Sequence, residues 1–501
     1  MGVPGKITLF ALMASSALAA GWDALAASVQ EFTLSNGLKV VVLERQDTPI
    51  VSMHLRVNAG LADDPPGKSG VARLFETMYL RGGDLGSTDA TAEKEALLKG
   101  EEWLDLRDTE LQRGPKANLL TAQDYRLKAR IAWESARRFS TPFVINRAFL
   151  LNHFYDTGIT VQTESTDLTA TIAANRAELW FKLTGDWLKR PSFRGFYEDR
   201  DALQQRLDEQ VRNLIAFKLY AALFPLAFPN HPYLRMAGSP SDLESLRSRD
   251  AEEFWKNHYT GRNMSLAISG ALSPAAARRL AETYFGTLPP GAPSPRPTPE
   301  PAVPGKEVRV ELTDNDEAVW AVAWPRPARA HPDDAGFDLL GAILDAGAQA
   351  LLRRELIVEK QLALNLRVFP SWPGDGYSTL FAIFVTPAPG REFSEIESAV
   401  QRALGTLRER PVDEATLARA RAWIRTGVLR QAETLAGSAR LLVRASSSYG
   451  GVKPFAAALA ALDKPTAADL QRQAAQYLSD TRRYVVWGGE TRVVTLGGAG
   501  Q

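Results

Sequence analysis

The run GKSGVARLFETMYLRGG, Gly67 to Gly83, decides how the rest of the chain is read. Val71, Leu74, Phe75 and Met78 fall at i, i+3, i+4 and i+7, the apolar face of an α-helix. Arg73, Glu76 and Thr77 interrupt that pattern as near neighbours on the helix surface. Considered alone, Arg73 and Glu76 are a solvated i,i+3 pair worth roughly a few tenths of a kcal/mol. Their company on either side gives them more interest.

Upstream, FTLSNGLKVVVLERQDTPIVSMHLRVNAG reads as a hairpin, with strands over Lys39 to Glu44 and Ile50 to Val57 after a turn at Asn36-Gly37. Downstream, Thr88 to Tyr155 is long, charged and helical, broken at Gly114-Pro115 and Thr141-Pro142. These breaks predict a helical hairpin and a third short helix, inserted over about residues 90–156. Strand-like alternation returns in GITVQTESTDLTATIAA, then a helix in RAELWFKLTGDWLKRPSF, and one long helix from about Arg194 to Phe224. A buried strand, MSLAISGALSP, and the helix AAARRLAETYFGTL close this half.

Pro289 to Lys306 is dominated by proline and reads as a semi-rigid spacer. Beyond it the same order of strands and helices recurs from KEVRVELTD onward, so the pattern predicts an internal structural duplication. The expected domains are 28–288 and 307–492, joined by the linker 289–306, with a tail over 493–501.

The N-terminus has Lys6, the apolar run ITLFALMASSALAA and then small residues at Ala24 and Ala26, the order of a secretory signal peptide over residues 1–27. A periplasmic location follows as the expectation. With 59 Lys and Arg against 58 acidic residues there is no global field to draw in nucleic acid or an anionic membrane. The chain has no cysteine and five histidines, none within a helical turn of another, so a zinc site would have to be drawn from scattered His, Asp and Glu. His54 reads as partly buried, His231 and His331 as turn residues before proline, and His153 and His258 as packing beside aromatics. No serine sits in a G-x-S-x-G elbow and no phosphate loop occurs.

The strand, strand, helix order, with SNGLKVVVLE, PPGKSGVARLFETMYLRG, HPYLRMAGSPSDLESL and HPDDAGFDLLGAIL, resembles the pitrilysin/insulinase-type zinc peptidases, which include the mitochondrial processing peptidase. The resemblance covers most of residues 31–490. It implies an α+β fold of two similar domains, each a mainly antiparallel sheet with helices on one face, forming a clam-like peptide chamber. In that family an H-x-x-E-H motif on the first helix binds zinc and supplies the base glutamate. Carried over, the two histidines fall on Arg73 and Thr77, the base on Glu76, and the later ligand glutamate on Arg206, with Asp199 and Arg200 in the Glu-Arg pair before it. Glu76 alone keeps its identity. The edge-strand Asn falls on Thr160 or Val161, and the arginine that some inactive subunits contribute falls on Leu351.

The expectation is therefore a pseudo-peptidase with no catalytic residue, metal or cofactor, in which Arg73 and Arg206 pair with Glu76 in place of the dication. It would be exported, would bind a peptide or unfolded polypeptide and would pair with a zinc-bearing paralogue, without nucleic acid or a membrane span. A stand-alone peptide-binding or scaffold protein is the alternative. An active zinc metalloendopeptidase with displaced ligands is a third reading.

Overall fold

The computed structural model describes residues 25–292, 299–313, 317–329 and 331–489. Most of the predicted signal segment, the linker residues 293–298 and the tail lie outside the described residues.

Strands β1 (Val29–Thr33), β2 (Lys39–Glu44) and β3 (Ile50–Val57) precede helix α1 (Val71–Arg81). The insertion follows as α2 (Ala90–Leu111), α3 (Leu119–Arg137) and α4 (Val144–Leu151). The first half continues with β4 (Tyr155–Val161), β5 (Thr166–Ala173), α5 (Ala177–Lys189), α6 (Phe196–Asn213), α7 (Ile215–Ala227), α8 (Pro240–Ser245), α9 (Ser248–His258), β6 (Met264–Gly270) and α10 (Pro274–Phe285). The second half has β7 (Val308–Leu312), β8 (Val319–Arg326), α11 (Asp334–Asp345), α12 (Leu351–Arg353, running into a π-helix over Arg354–Glu359), β9 (Ala363–Trp372) and β10 (Thr379–Pro387). It ends with α13 (Phe393–Glu409), α14 (Glu414–Glu433), α15 (Leu435–Tyr449), α16 (Val452–Ala460), α17 (Ala467–Tyr477) and β11 (Tyr484–Gly488).

The sheets have the orders β1-β2-β6-β3-β5-β4 and β7-β11-β8-β10-β9. Without β1 the two orders superimpose element by element. In both, the last strand in sequence enters between the first two, parallel to one (β2–β6, β7–β11) and antiparallel to the other (β3–β6, β8–β11). The duplication expected from the pattern is thus present in the topology.

Two local expectations are corrected. β2 and β3 are not a hairpin, because β6 inserts between them, and the Asn36-Gly37 turn instead joins β1 to β2, with Gly37 at φ 90°. The single long helix is two helices, broken at Leu214 (φ −105°, ψ 116°). The break has a reason in burial: Leu219, Leu223, Phe224 and Ala227 are buried in a cluster with Ala321, Ala323, Trp372 and Val486 of the second half. The apolar face of a helix must be covered, and leaving α6 takes that face of α7 onto the second sheet.

The second half returns the arrangement. α15 lies on β2, β3 and β6, where Leu441, Leu442 and Ala445 bury Val41, Leu43 and Ala267. Each sheet therefore carries its own helices on one face and a helix of the other half on the opposite face, rather than helices on one face alone. The physical consequence is that the two halves are held against each other by shared apolar clusters. Among the described residues no helix is long and apolar enough to cross a membrane.

Candidate functional site

α1 is held at both ends. At its start Gly70 adopts φ 101°, and the buried Asp64 carboxylate accepts the N–H groups of Gly70 (2.6 Å) and Ala72 (2.9 Å). Unpaired amides at a helix start favour such an acceptor. Burial nevertheless pushes the Asp64 carboxyl up to about 7, against those two hydrogen bonds. At its end Arg81 makes a bidentate pair with Asp199 on α6 (2.8 and 2.7 Å). Burial raises the Asp199 carboxyl and the Arg81 bonds and charge oppose it. Between the ends, Phe75 stacks on Tyr259 at 4.9 Å, and Trp187 stands edge-on to both Phe75 and Tyr79. Each such fully buried side chain contributes about 1.5–3 kcal/mol.

This core face leaves Arg73, Glu76 and Thr77 half-buried. The expected ion-pair cluster is not formed. Glu76 Oε1 accepts the backbone N–H of Val161 at 2.9 Å, which ties α1 to the last residue of the edge strand β4. The charge of Arg73 reaches the Tyr220 hydroxyl of α7; burial raises that hydroxyl, opposed by a hydrogen bond to Trp372 and then by Arg73. Arg206 lies on α6 near enough to Asp199, two turns back, for its charge to act there. The carboxylate prefers a fixed, half-buried N–H to two long cationic side chains that solvent serves well, since exposed ion pairs are worth roughly 0–1 kcal/mol.

The donor set does not fit zinc. A guanidinium has no lone pair to give, so Arg73 and Arg206 cannot act as ligands, and Thr77 offers one hydroxyl where the metal takes about three protein donors. Among the described residues no group of three or more His, Asp or Glu is placed to hold a metal ion.

The histidines are spent elsewhere. His54 is fully rather than partly buried, with Nε2 2.9 Å from Asp167, which Arg56 grips through two nitrogens. Burial lowers the His54 pKa, against its bond to Asp167, and the Arg56 and Arg440 charges lower it further. Burial would raise Asp167, but the His54 and Arg56 bonds hold it below the usual carboxylate range. His231 caps a turn by accepting the Tyr233 N–H (3.1 Å) and reaches the Ser378 carbonyl across the halves (3.1 Å). His331 accepts the Asp333 N–H (3.2 Å) in a turn, and the His258 ring packs 4.5 Å from Phe254.

Sequence reasoning missed the seam beside this site. Glu164, in the β4–β5 turn, accepts the Tyr233 hydroxyl and the Gly376 N–H, and Thr163 donates to the Pro373 carbonyl at 3.0 Å. Near Leu351, Arg353 is bound to Asp345 and the Leu366 carbonyl, and Arg354 pairs with Glu359. The alternation of Ser52, His54 and Arg56 in β3 was the one signal that a polar face lay opposite the core.

Residues 245–422 match a family model described as the Peptidase M16 inactive domain. The Helicobacter pylori zinc protease PqqE is 23% identical over 341 residues, 67% of this chain and 65% of that protein. Over these stretches the chain is similar to pitrilysin/insulinase-type (M16) peptidases.

The mitochondrial-processing peptidase subunit beta of Blastocladiella emersonii is 31% identical over 119 residues, 24% of this chain and 25% of that one. The chain thus spans less than two thirds of the length of either relative. The M16 inactive-domain structure from Pseudomonas fluorescens shares the fold, with a TM-score of 0.69 at 17% identity over 92% of this chain and 98% of that one. The M16 model match begins beyond α1 and α6, so the motif positions rest on the geometry above.

Proposed function

We propose that this M16 homologue is a non-catalytic subunit that pairs with a zinc-bearing relative and contributes a peptide-binding wall to the joint site. The observation that carries this reading is the engagement of Glu76. The residue that would activate a metal-bound water instead holds a backbone amide of β4, between Arg73 and Thr77, which supply no zinc site. In this reading a second chain completes the substrate site. One similar protein is named as a subunit, which agrees with pairing. The free margin of β4 is suited to adding an extended peptide by backbone pairing. Export to the periplasm through residues 1–27 belongs to the same proposal.

The test is co-expression with an H-x-x-E-H relative encoded in the same genome. Co-elution on size exclusion, with hydrolysis of an unstructured peptide exceeding that of the relative alone, is expected. Separate elution with no gain in hydrolysis would reject pairing. A second reading, the stand-alone scaffold, is favoured by one feature: Leu120, Leu127 and Ile131 are exposed on α3 away from α2. It predicts a monomer or homodimer indifferent to that relative.

A further inference from the structure

Of the twenty large apolar side chains exposed among the described residues, eleven lie within the insertion, residues 90–156. Single exposed leucines need no explanation, but a concentration of them marks an interaction surface. On α3 they are ordered. Ala122, Ala129 and Ala136 are buried where α3 packs on α2, and the opposite face carries Leu120, Leu127 and Ile131 at i, i+7 and i+11. Leu120 is the most exposed of them, at 77%. The Glu110 carboxylate accepts the Asn118 N–H at 2.7 Å and closes the hairpin, so that exposed Leu111 and Leu119 join Leu120 at its tip.

Charge is segregated along the same hairpin, although the whole chain is balanced. α2 has seven acidic residues against three basic ones, whereas residues 112–138 have seven basic against two acidic. The α2 carboxylates are spent inward: Glu101 and Asp108 hold Arg247, and Glu93 holds Arg194. The cations of 112–138 are not all matched in this way. Arg113, Lys128 and Arg137 are paired with Glu110, Asp124 and Glu198. Lys116, Arg126, Arg130 and Arg138 are exposed and make no ion pair among the described residues. Arg126 and Arg130, one turn apart, flank Leu127 and Ile131, and Lys116 sits at the tip.

We infer that the tip of the insertion and the outer face of α3 seat on an anionic lipid bilayer. Leucine and isoleucine flanked by arginine and lysine, with no exposed aromatic in the stripe, suit a helix lying in the lipid interface better than a protein contact, whose core is enriched in aromatics. A second copy docked on the same stripe would set these cations against their own copies across a two-fold axis, whereas anionic headgroups neutralise them. The attachment is peripheral and uses no spanning helix. It does not depend on the pairing reading, since it involves neither β4 nor a second chain.

The experiment is co-sedimentation of the purified chain with vesicles of phosphatidylcholine alone and of phosphatidylcholine and phosphatidylglycerol at about two to one. Binding to the mixed vesicles, absent from the neutral ones and weakened by high salt, is expected. Each cation near an anionic surface is worth about fivefold in binding, so Arg126→Gln with Arg130→Gln should weaken it about twenty-fivefold. Leu120→Ser with Leu127→Ser should weaken it at least about tenfold. Both pairs lie on an exposed helix face and should leave the far-ultraviolet circular dichroism unchanged. Leu364→Ser, at an exposed position on β9 in the second half, should leave vesicle binding unaltered. Failure to sediment with the anionic vesicles, or sedimentation indifferent to both pairs of substitutions, overturns the inference. So does a dimer on size exclusion that Leu120→Ser with Leu127→Ser dissolves while no vesicle binding is seen, which would assign the stripe to a second copy.

Discussion

Substitution of Glu76 separates a structural carboxylate from a catalytic one. Its Oε1 accepts the Val161 N–H at 2.9 Å, and glutamine places a carbonyl oxygen at the same reach. A hydrogen bond to a charged acceptor contributes about 1.5–3 kcal/mol and a neutral one about 0.5–1.5. Glu76→Gln should therefore cost about 1 kcal/mol or less, because the site is half-buried and partly screened. Glu76→Ala leaves the Val161 amide unpaired at the end of β4 and should cost about 1–3 kcal/mol. Urea unfolding reads both as shifts in midpoint at constant slope. A general base, by contrast, is worth about 10²–10⁴ in rate. If Glu76→Gln destabilised as much as Glu76→Ala, the hydrogen-bonding account would fail. If the purified chain hydrolysed peptides and Glu76→Gln removed that activity about a hundredfold or more, Glu76 would be catalytic.

Arg247, 4% exposed, joins Glu101 (2.8 Å) and Asp108 (2.6 Å) of α2 to the body, so Arg247→Ala should cost about 3 kcal/mol and speed tryptic cleavage within residues 99–138. Unchanged cleavage would mean that the insertion docks by other contacts. His54 and Asp64 give opposite pH slopes. His54, lowered in the fold, stabilises fully above the unfolded value of 6.5, and that contribution is lost as the pH falls below it. Asp64, raised to about 7, stabilises fully below 3.8 and loses its contribution, at most about 4 kcal/mol, as the pH rises through 7. His54→Gln should remove the first slope and Asp64→Asn the second in unfolding midpoints followed from pH 4 to 8, and slopes unchanged by the substitutions would refute both assignments. Residues 25–292 expressed alone would uncover Val41, Leu43 and Ala267, and should aggregate unless the second half is supplied in trans; a soluble monomer with native circular dichroism would contradict the helix exchange. Arg73→His, Thr77→His and Arg206→Glu together should create a site for about one zinc per chain, measured by elemental analysis, whereas no gain in zinc would show that α1 and α6 do not face each other as ligand helices.

Local periodicity made α1, the insertion helices and most of the individual strands legible, because those signals lie within one element, whereas β1 and β11 were not read. The β2–β3 hairpin misled because its partner, β6, lies more than 200 residues away and leaves no mark on the turn sequence. The break at Leu214 carries no glycine or proline, and only the need to cover α7 on the other half explains it. At the site, the residue identities at 73, 76, 77 and 206 could be read, but their directions could not. Whether Glu76 meets an arginine or an amide depends on where β4 ends. Asp167, the partner that consumes His54, lies 113 residues from it, across a strand pair.

Under the proposed function the chain carries no zinc and no peptidase activity of its own. The most direct measurement is the zinc content of the protein, purified without added metal or chelator, alongside hydrolysis of an unstructured peptide library. Zinc far below one per chain, with no hydrolysis, is the predicted result. Stoichiometric zinc with hydrolysis that Glu76→Gln abolishes would contradict it.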